Sequence, residues 1–107
     1  MNRELHVLPS ARADIKASFD FLEEQSDLET AWRFFAGMQE SFERIEQMPF
    51  IGSPRRFRSS RIRDLRQWPV SGFEDFLIFY RVTSDRVDIH RILHGKRDLE
   101  ALFEKQN

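Results

Sequence analysis

The chain contains no cysteine in its 107 residues, so disulfides and thiolate metal sites are excluded. Glycine and proline are scarce, at four each, which leaves little room for long irregular loops or low-complexity linkers. No apolar run approaches the ~18 residues that a membrane-spanning helix requires. The opening MNRELHVLPSARAD lacks the apolar core of a secretory signal. The expectation is a cytoplasmic protein with no membrane partner. Neither GxxxxGK[ST], GxGxxG nor GxSxG occurs, so nothing announces a nucleotide loop or a nucleophile elbow.

What is present fits one domain, residues 1–107, with 40% hydrophobic and 33% charged residues. The net charge of −1 conceals an asymmetry. Residues 1–50 hold five Lys/Arg and ten Asp/Glu; residues 51–107 hold twelve and eight. From Arg55 to Arg66 there are six arginines and one acid, Asp64. Such a cluster engages phosphate or an acidic protein partner, unless it is an ordinary solvated loop.

Leu5, Val7 and Leu8 predict a short first strand ending at Pro9. Ser10 reads as an N-cap, followed by Ala11, Ile15, Phe19 and Leu22 at helical spacing. Asp27 reads as the next N-cap. Ala31, Phe35, Met38, Phe42 and Ile45 then give a long amphipathic helix stopped by Pro49, its apolar side widened by Trp32 and Phe34. Few residues join the two helices, which predicts an antiparallel αα-hairpin. Gly52, Pro54 and the serines make residues 50–60 a loop.

From Arg61 the pattern is extended, with a bulge or break expected near Pro69 and a turn at Ser71-Gly72. Phe76, Ile78, Tyr80 and Val82 share one face of the next strand; Leu77, Phe79 and Arg81 share the other. Both faces are largely apolar, which predicts a central strand. Val87, Ile89, Arg91 and Leu93 alternate with Asp88, His90, Ile92 and His94 along the last strand. Asp98 is placed to cap a short final helix through Leu99, Leu102 and Phe103. The expected order is β-α-α-β-β-β-α: an α+β fold with an N-terminal strand, an αα-hairpin on an antiparallel sheet, and a short C-terminal helix.

Few residues are arranged for chemistry. His90 and His94 share a face under strict alternation, but ~13 Å apart at a ~3.3 Å rise, too far to share an ion. Neither a metal nor a cofactor is expected. Metal-independent RNA cleavage requires a base, an acid and cations on the phosphate. Arg81, Arg91, His94, Lys96 and Arg97 are the residues for it, with Tyr80 as a second proton-transfer candidate. Against that role, Tyr80 shares its phase with core positions, and His94 precedes a turn glycine.

The run FLIFYR (Phe76 to Arg81) followed by RILHGKRD (Arg91 to Asp98), with PSARADI (Pro9 to Ile15) near the start, resembles the RelE/ParE toxin superfamily on its ParE side. The resemblance implies a toxin of a type II toxin–antitoxin module. RelE-like members cleave mRNA on the ribosome; ParE-like members act on DNA gyrase and are not known as nucleases. The nuclease branch typically has lysines or a carboxylate in the middle strands and a C-terminal Tyr or His-Tyr; here only Lys96 and Lys105 follow Lys16, no tyrosine follows Tyr80, and LHGKRD (Leu93 to Asp98) is a ParE-type ending. The favoured reading is therefore a non-enzymatic, gyrase-directed toxin with no catalytic residue and no direct DNA binding. A ribosome-dependent endoribonuclease and a non-toxic binding module of the same fold remain the alternatives. The resemblance also implies a cognate antitoxin with a DNA-binding domain and an acidic amphipathic tail. Trp32, Arg56, Arg58 and Arg61 are its expected contacts.

Overall fold

The computed structural model describes residues 3–55 and 64–98. Within them the order is β1 (Glu4–Val7), α1 (Pro9–Gln25), α2 (Leu28–Gln47), β2 (Ser53–Arg55), β3 (Leu65–Val70), β4 (Phe73–Val82) and β5 (Arg86–His94). The final helix expected through Leu99, Leu102 and Phe103 lies outside the described residues.

The helices follow their sequence signals with one exception. Pro9, not Ser10, sets the start of α1: Leu8 is the N-cap and Pro9 occupies the first turn. A proline has no N–H to leave unpaired and a φ already fitted to the helix, so no side-chain cap is needed there. At α2 the Asp27 carboxylate accepts the Thr30 amide at 2.7 Å, and Glu29 sits in the first turn. The Thr30 side chain, and after it the Thr30 amide, hold the Asp27 pKa below the usual carboxylate value.

The sheet has five strands in the order β1-β5-β4-β3-β2. It is mixed rather than wholly antiparallel, because β1 runs parallel to β5, from Glu4 opposite Arg86 to Val7 opposite Ile89. Chain direction explains this: β1 leads into the αα-hairpin, which crosses one face of the sheet before the antiparallel strands begin. The fifth strand, β2, lies inside the stretch expected to be loop. Ser53, Pro54 and Arg55 pair with Gln67, Arg66 and Leu65. Three residues with a proline are too few to show alternation, and an edge strand tolerates the proline. β4 is central, as its two apolar faces require.

Two irregularities set side-chain directions. Pairing of β3 with β4 shifts at Pro69/Val70, where β3 runs past the end of β2. On β5, Phe79 faces Arg91 but Tyr80 faces Ile89, so His90 is an extra residue, a β-bulge. Val87 and Ile89 are core residues before it, and Ile92 is one after it. His90 and His94 therefore lie on opposite faces, contrary to strict alternation.

The core lies between the helix pair and the sheet. Ala11, Phe34, Met38 and Ile45 meet Val70, Phe76, Ile78, Tyr80, Ile89 and Ile92. Phe34 is its centre, with ring centroids 4.9 Å from Phe76 and 5.6 Å from Phe73. The β3–β4 turn is held to α2 by Ser41, whose buried Oγ accepts the Ser71 amide at 2.8 Å and donates to the Gly37 carbonyl. A Cβ on Gly37 would overlap the Ser71 carbonyl, so glycine permits this close approach. No described helix is long and apolar enough to cross a membrane.

Candidate functional site

The outer face of the αα-hairpin carries an aromatic patch. Trp32 is 56% exposed, with its ring edge-on to Phe19 of α1 at 4.9 Å and to Phe35 at 5.8 Å. Exposed Leu28 lies one turn before it. Helical periodicity assigns Phe19 to the core. The short interhelix connection instead places it in this outer cluster beside Trp32. Arg56, Arg58 and Arg61, the other expected antitoxin contacts, lie outside the described residues. Arg55 and Arg66 flank them: Arg55 donates to the Gln67 side chain, and Arg66 donates to the Gly52 and Phe50 carbonyls.

The residues of the nuclease alternative are spread along β4 and β5. Arg81 is exposed on β4, opposite Leu65 and Asp88. Five residues along the same strand, ~16 Å at strand rise, Phe76 pairs with His94. His94, Lys96 and Arg97 lie at that far end, toward the later turns of α1, while Arg91 faces Phe79, two residues along β4 from Arg81. Arg91 is bound by Asp14 through both carboxylate oxygens, at 2.7 and 3.1 Å. Arg97 is bound the same way by Asp98, at 2.9 and 3.1 Å, with its guanidinium 4.0 Å from the Phe21 ring centroid.

His94 stands edge-on to Phe76 at 5.2 Å, and its Nδ1 accepts the Arg97 amide at 3.2 Å. In the neutral ring that leaves the proton on Nε2. His94 lines a cleft of about 410 Å³ with Phe21, Leu22, Phe73, Glu74, Asp75 and Phe76. Lys96 is exposed.

Tyr80 is fully buried, and its hydroxyl is committed on both sides. It donates to the Pro49 carbonyl at 2.7 Å and accepts the Gly52 amide at 2.8 Å. Burial raises its pKa, partly offset by the Gly52 amide and the charge of Arg66. A neutral phenol pinned between two backbone groups is a brace for the α2–β2 connection, not a proton donor to substrate. Among the described residues no three His, Asp or Glu side chains are grouped to hold a metal.

Sequence reasoning passed over Asp14. It looks like an ordinary solvent-facing helix residue, and no local signal shows that its partners lie on β5. The alternation rule also missed His90. Its Nε2 is buried without a hydrogen-bond partner, and burial, aided by Arg81 and opposed by Asp88, lowers its pKa.

With this arrangement in view, residues 5–99 match the ParE toxin of type II toxin–antitoxin systems, parDE. The chain belongs to the ParE toxin family. Among solved structures, a chain of the chromosomal ParDE TA system from P. aeruginosa is similar, with a TM-score of 0.68 and 22% identity. The likeness covers 88% of this chain and 97% of that one. At that identity it supports the shared fold alone. No curated protein matches this sequence. This ParE-family chain thus has the α+β architecture, with the helix pair on one face of the sheet, that its motifs implied.

Proposed function

We propose that this ParE-family toxin acts on DNA gyrase through protein contacts, in the cytoplasm, and is silenced by a cognate antitoxin. The observation that carries the reading is the commitment of its candidate catalytic groups. Arg91 and Arg97 are each neutralised by a carboxylate, Tyr80 braces a loop, and Arg81 stands ~16 Å along the strand from the position of His94. RNA cleavage needs base, acid and phosphate-binding cations around one atom. Exposed apolar and cationic surface instead suits protein recognition. No cofactor, metal or direct DNA contact enters this mechanism.

The antitoxin is read as an acidic, amphipathic segment attached to a DNA-binding domain. Trp32, with Phe19 and Phe35 behind it, supplies an apolar anchor; Arg56, Arg58 and Arg61 supply the complementary charge. Such a segment, too polar to fold alone, orders on the toxin as it binds.

The deciding experiment adds folded toxin to purified gyrase and plasmid DNA. Accumulation of cleaved DNA or a block of supercoiling is the expected result, relieved by antitoxin. An inert toxin at large molar excess overturns the gyrase reading. Cleavage of ribosome-bound mRNA in a translating extract would replace it with the nuclease reading.

A further inference from the structure

At the opposite end of α2 from Trp32, three residues distant in sequence come together. Phe50, just after α2, is 59% exposed, and Met48 beside it is 52% exposed. The guanidinium of Arg3, ahead of β1, lies over the Phe50 ring 5.4 Å from its centroid; that of Arg66, on β3, lies 5.0 Å from it. Backbone carbonyls hold both arginines in place. Arg3 Nε donates to the Thr83 carbonyl at 2.7 Å, and Arg66 NH1 donates to the Gly52 carbonyl at 2.7 Å. Among the described residues neither is in an ion pair.

We propose that the Arg3–Phe50–Arg66 cluster is a second protein-docking site of this chain, taking an acidic peptide segment that carries an apolar side chain. Two cations fixed around one exposed ring, with no carboxylate partner among the described residues, keep N–H groups beyond those bound to the backbone carbonyls. Carboxylates satisfy guanidinium N–H groups in bidentate fashion. Because backbone carbonyls already order the guanidiniums, little side-chain entropy is lost on binding. The exposed edge of Phe50 and the Met48 side chain supply the apolar contact.

Nucleic acid fits less well. Both guanidiniums already lie against the ring, 5.4 and 5.0 Å from its centroid, where they compete with a base for stacking.

The site is distinct from the Trp32 patch. The 20 residues of α2 span ~30 Å, with Trp32 in its first turns and Phe50 past its end. The inference does not rest on the gyrase reading, and its Arg66 follows the antitoxin arginines Arg56, Arg58 and Arg61 closely in sequence.

The test uses the full-length ¹⁵N-labelled chain. The probe is an acetylated, amidated hexapeptide, Glu-Glu-Leu-Phe-Glu-Glu, and the controls are its Gln-for-Glu counterpart and a single-stranded oligothymidylate. Amide shifts around Arg3, Phe50 and Arg66 with the acidic peptide alone are expected, weakening as salt rises. Arg3→Gln should weaken binding severalfold, and Arg3→Gln with Arg66→Gln about tenfold or more. Phe50→Ala alters an exposed ring and keeps the test valid if Arg66→Gln unfolds the loop; it should also weaken binding severalfold. Trp32→Ala should leave it unchanged. Shifts located elsewhere, equal binding by the variants or the Gln peptide, or tighter binding of the oligonucleotide would each overturn the proposal.

Discussion

Asp14 of α1 holds Arg91 of β5 through both carboxylate oxygens, and its Oδ2 also accepts the Ile92 amide at 2.9 Å. β1 pairs with β5 only as far as Ile89, so beyond that point β5 would present an open edge. Asp14 takes the place of the missing strand at Ile92. Two residues on, Asp98 does the same at the His94 amide, at 2.8 Å. Each carboxylate is neutralised by an arginine, and together they close an edge that would otherwise invite another chain to pair.

This arrangement orders the effects of two substitutions. Asp14→Ala strands both the Arg91 charge and the Ile92 amide, whereas Arg91→Ala removes the ion pair and leaves the amide its acceptor. Asp14→Ala should cost about 1–2 kcal/mol, reduced by the partial exposure of Arg91, and Arg91→Ala less. Urea denaturation measures both; a reversed order would show that the charge pair, not the edge amide, dominates.

Tyr80→Phe should destabilise the fold by about 1–3 kcal/mol, because the Gly52 amide and the Pro49 carbonyl lose their shared partner. Gly52→Ala attacks the same brace sterically, since its Cβ would stand 2.5 Å from the Tyr80 hydroxyl oxygen. For the folded fraction, gyrase inhibition should be unchanged by Tyr80→Phe. A lost activity in a fully folded variant would give the hydroxyl a direct role.

Stability should fall on acidification in two stages. Burial lowers the His90 pKa, so the unfolded chain binds that proton more readily than the folded one. The corresponding stability is present above the ordinary histidine value, ~6.5, and is lost as pH falls through the lower folded value. For Asp98, burial raises the pKa, but the bonds from Arg97 and the His94 amide and the nearby positive charges together outweigh it. Its contribution is present above the ordinary aspartate value, ~3.9, and is lost below it as pH falls through the folded value. His90→Phe should flatten the first stage in thermal melts between pH 8 and 5. An unchanged slope would mean that His90 is not its source.

Trp32→Ala should speed antitoxin dissociation about tenfold or more, since a large exposed ring is the type of residue that anchors interfaces. Its effect on stability should stay below ~1 kcal/mol, because over half of the side chain is already in water. Arg56→Glu with Arg58→Glu should slow association and reduce its salt dependence, as rim charges act on encounter. Surface plasmon resonance unaffected by both variants would place the antitoxin elsewhere.

Local pattern carried much of the architecture. The two helices, the Asp27 cap, the central position of β4 and the turn at Ser71-Gly72 follow from periodicity and turn chemistry, which depend only on near neighbours. The short strand β2 was illegible because three residues show no period. The His90 bulge was illegible because an extra residue is defined only against a partner strand. Phe19 and Phe34 have similar local claims on the core, yet Phe34 is fully buried and Phe19 is paired with exposed Trp32. The packing of the helices decides which ring faces the sheet.

Functional groups divide along the same line. The sequence by itself determined most of the elements, the family-like ending Leu93 to Asp98, and a supply of cations without cysteine. Only the tertiary structure decided what each cation does: Arg91 and Arg97 are bound to Asp14 and Asp98, while Arg3 and Arg66 flank an exposed phenylalanine. The physical reason is range. Helix and strand preferences act over a few residues, whereas an ion pair or a cation over a ring depends on which distant segments the core draws together, and no local pattern encodes that.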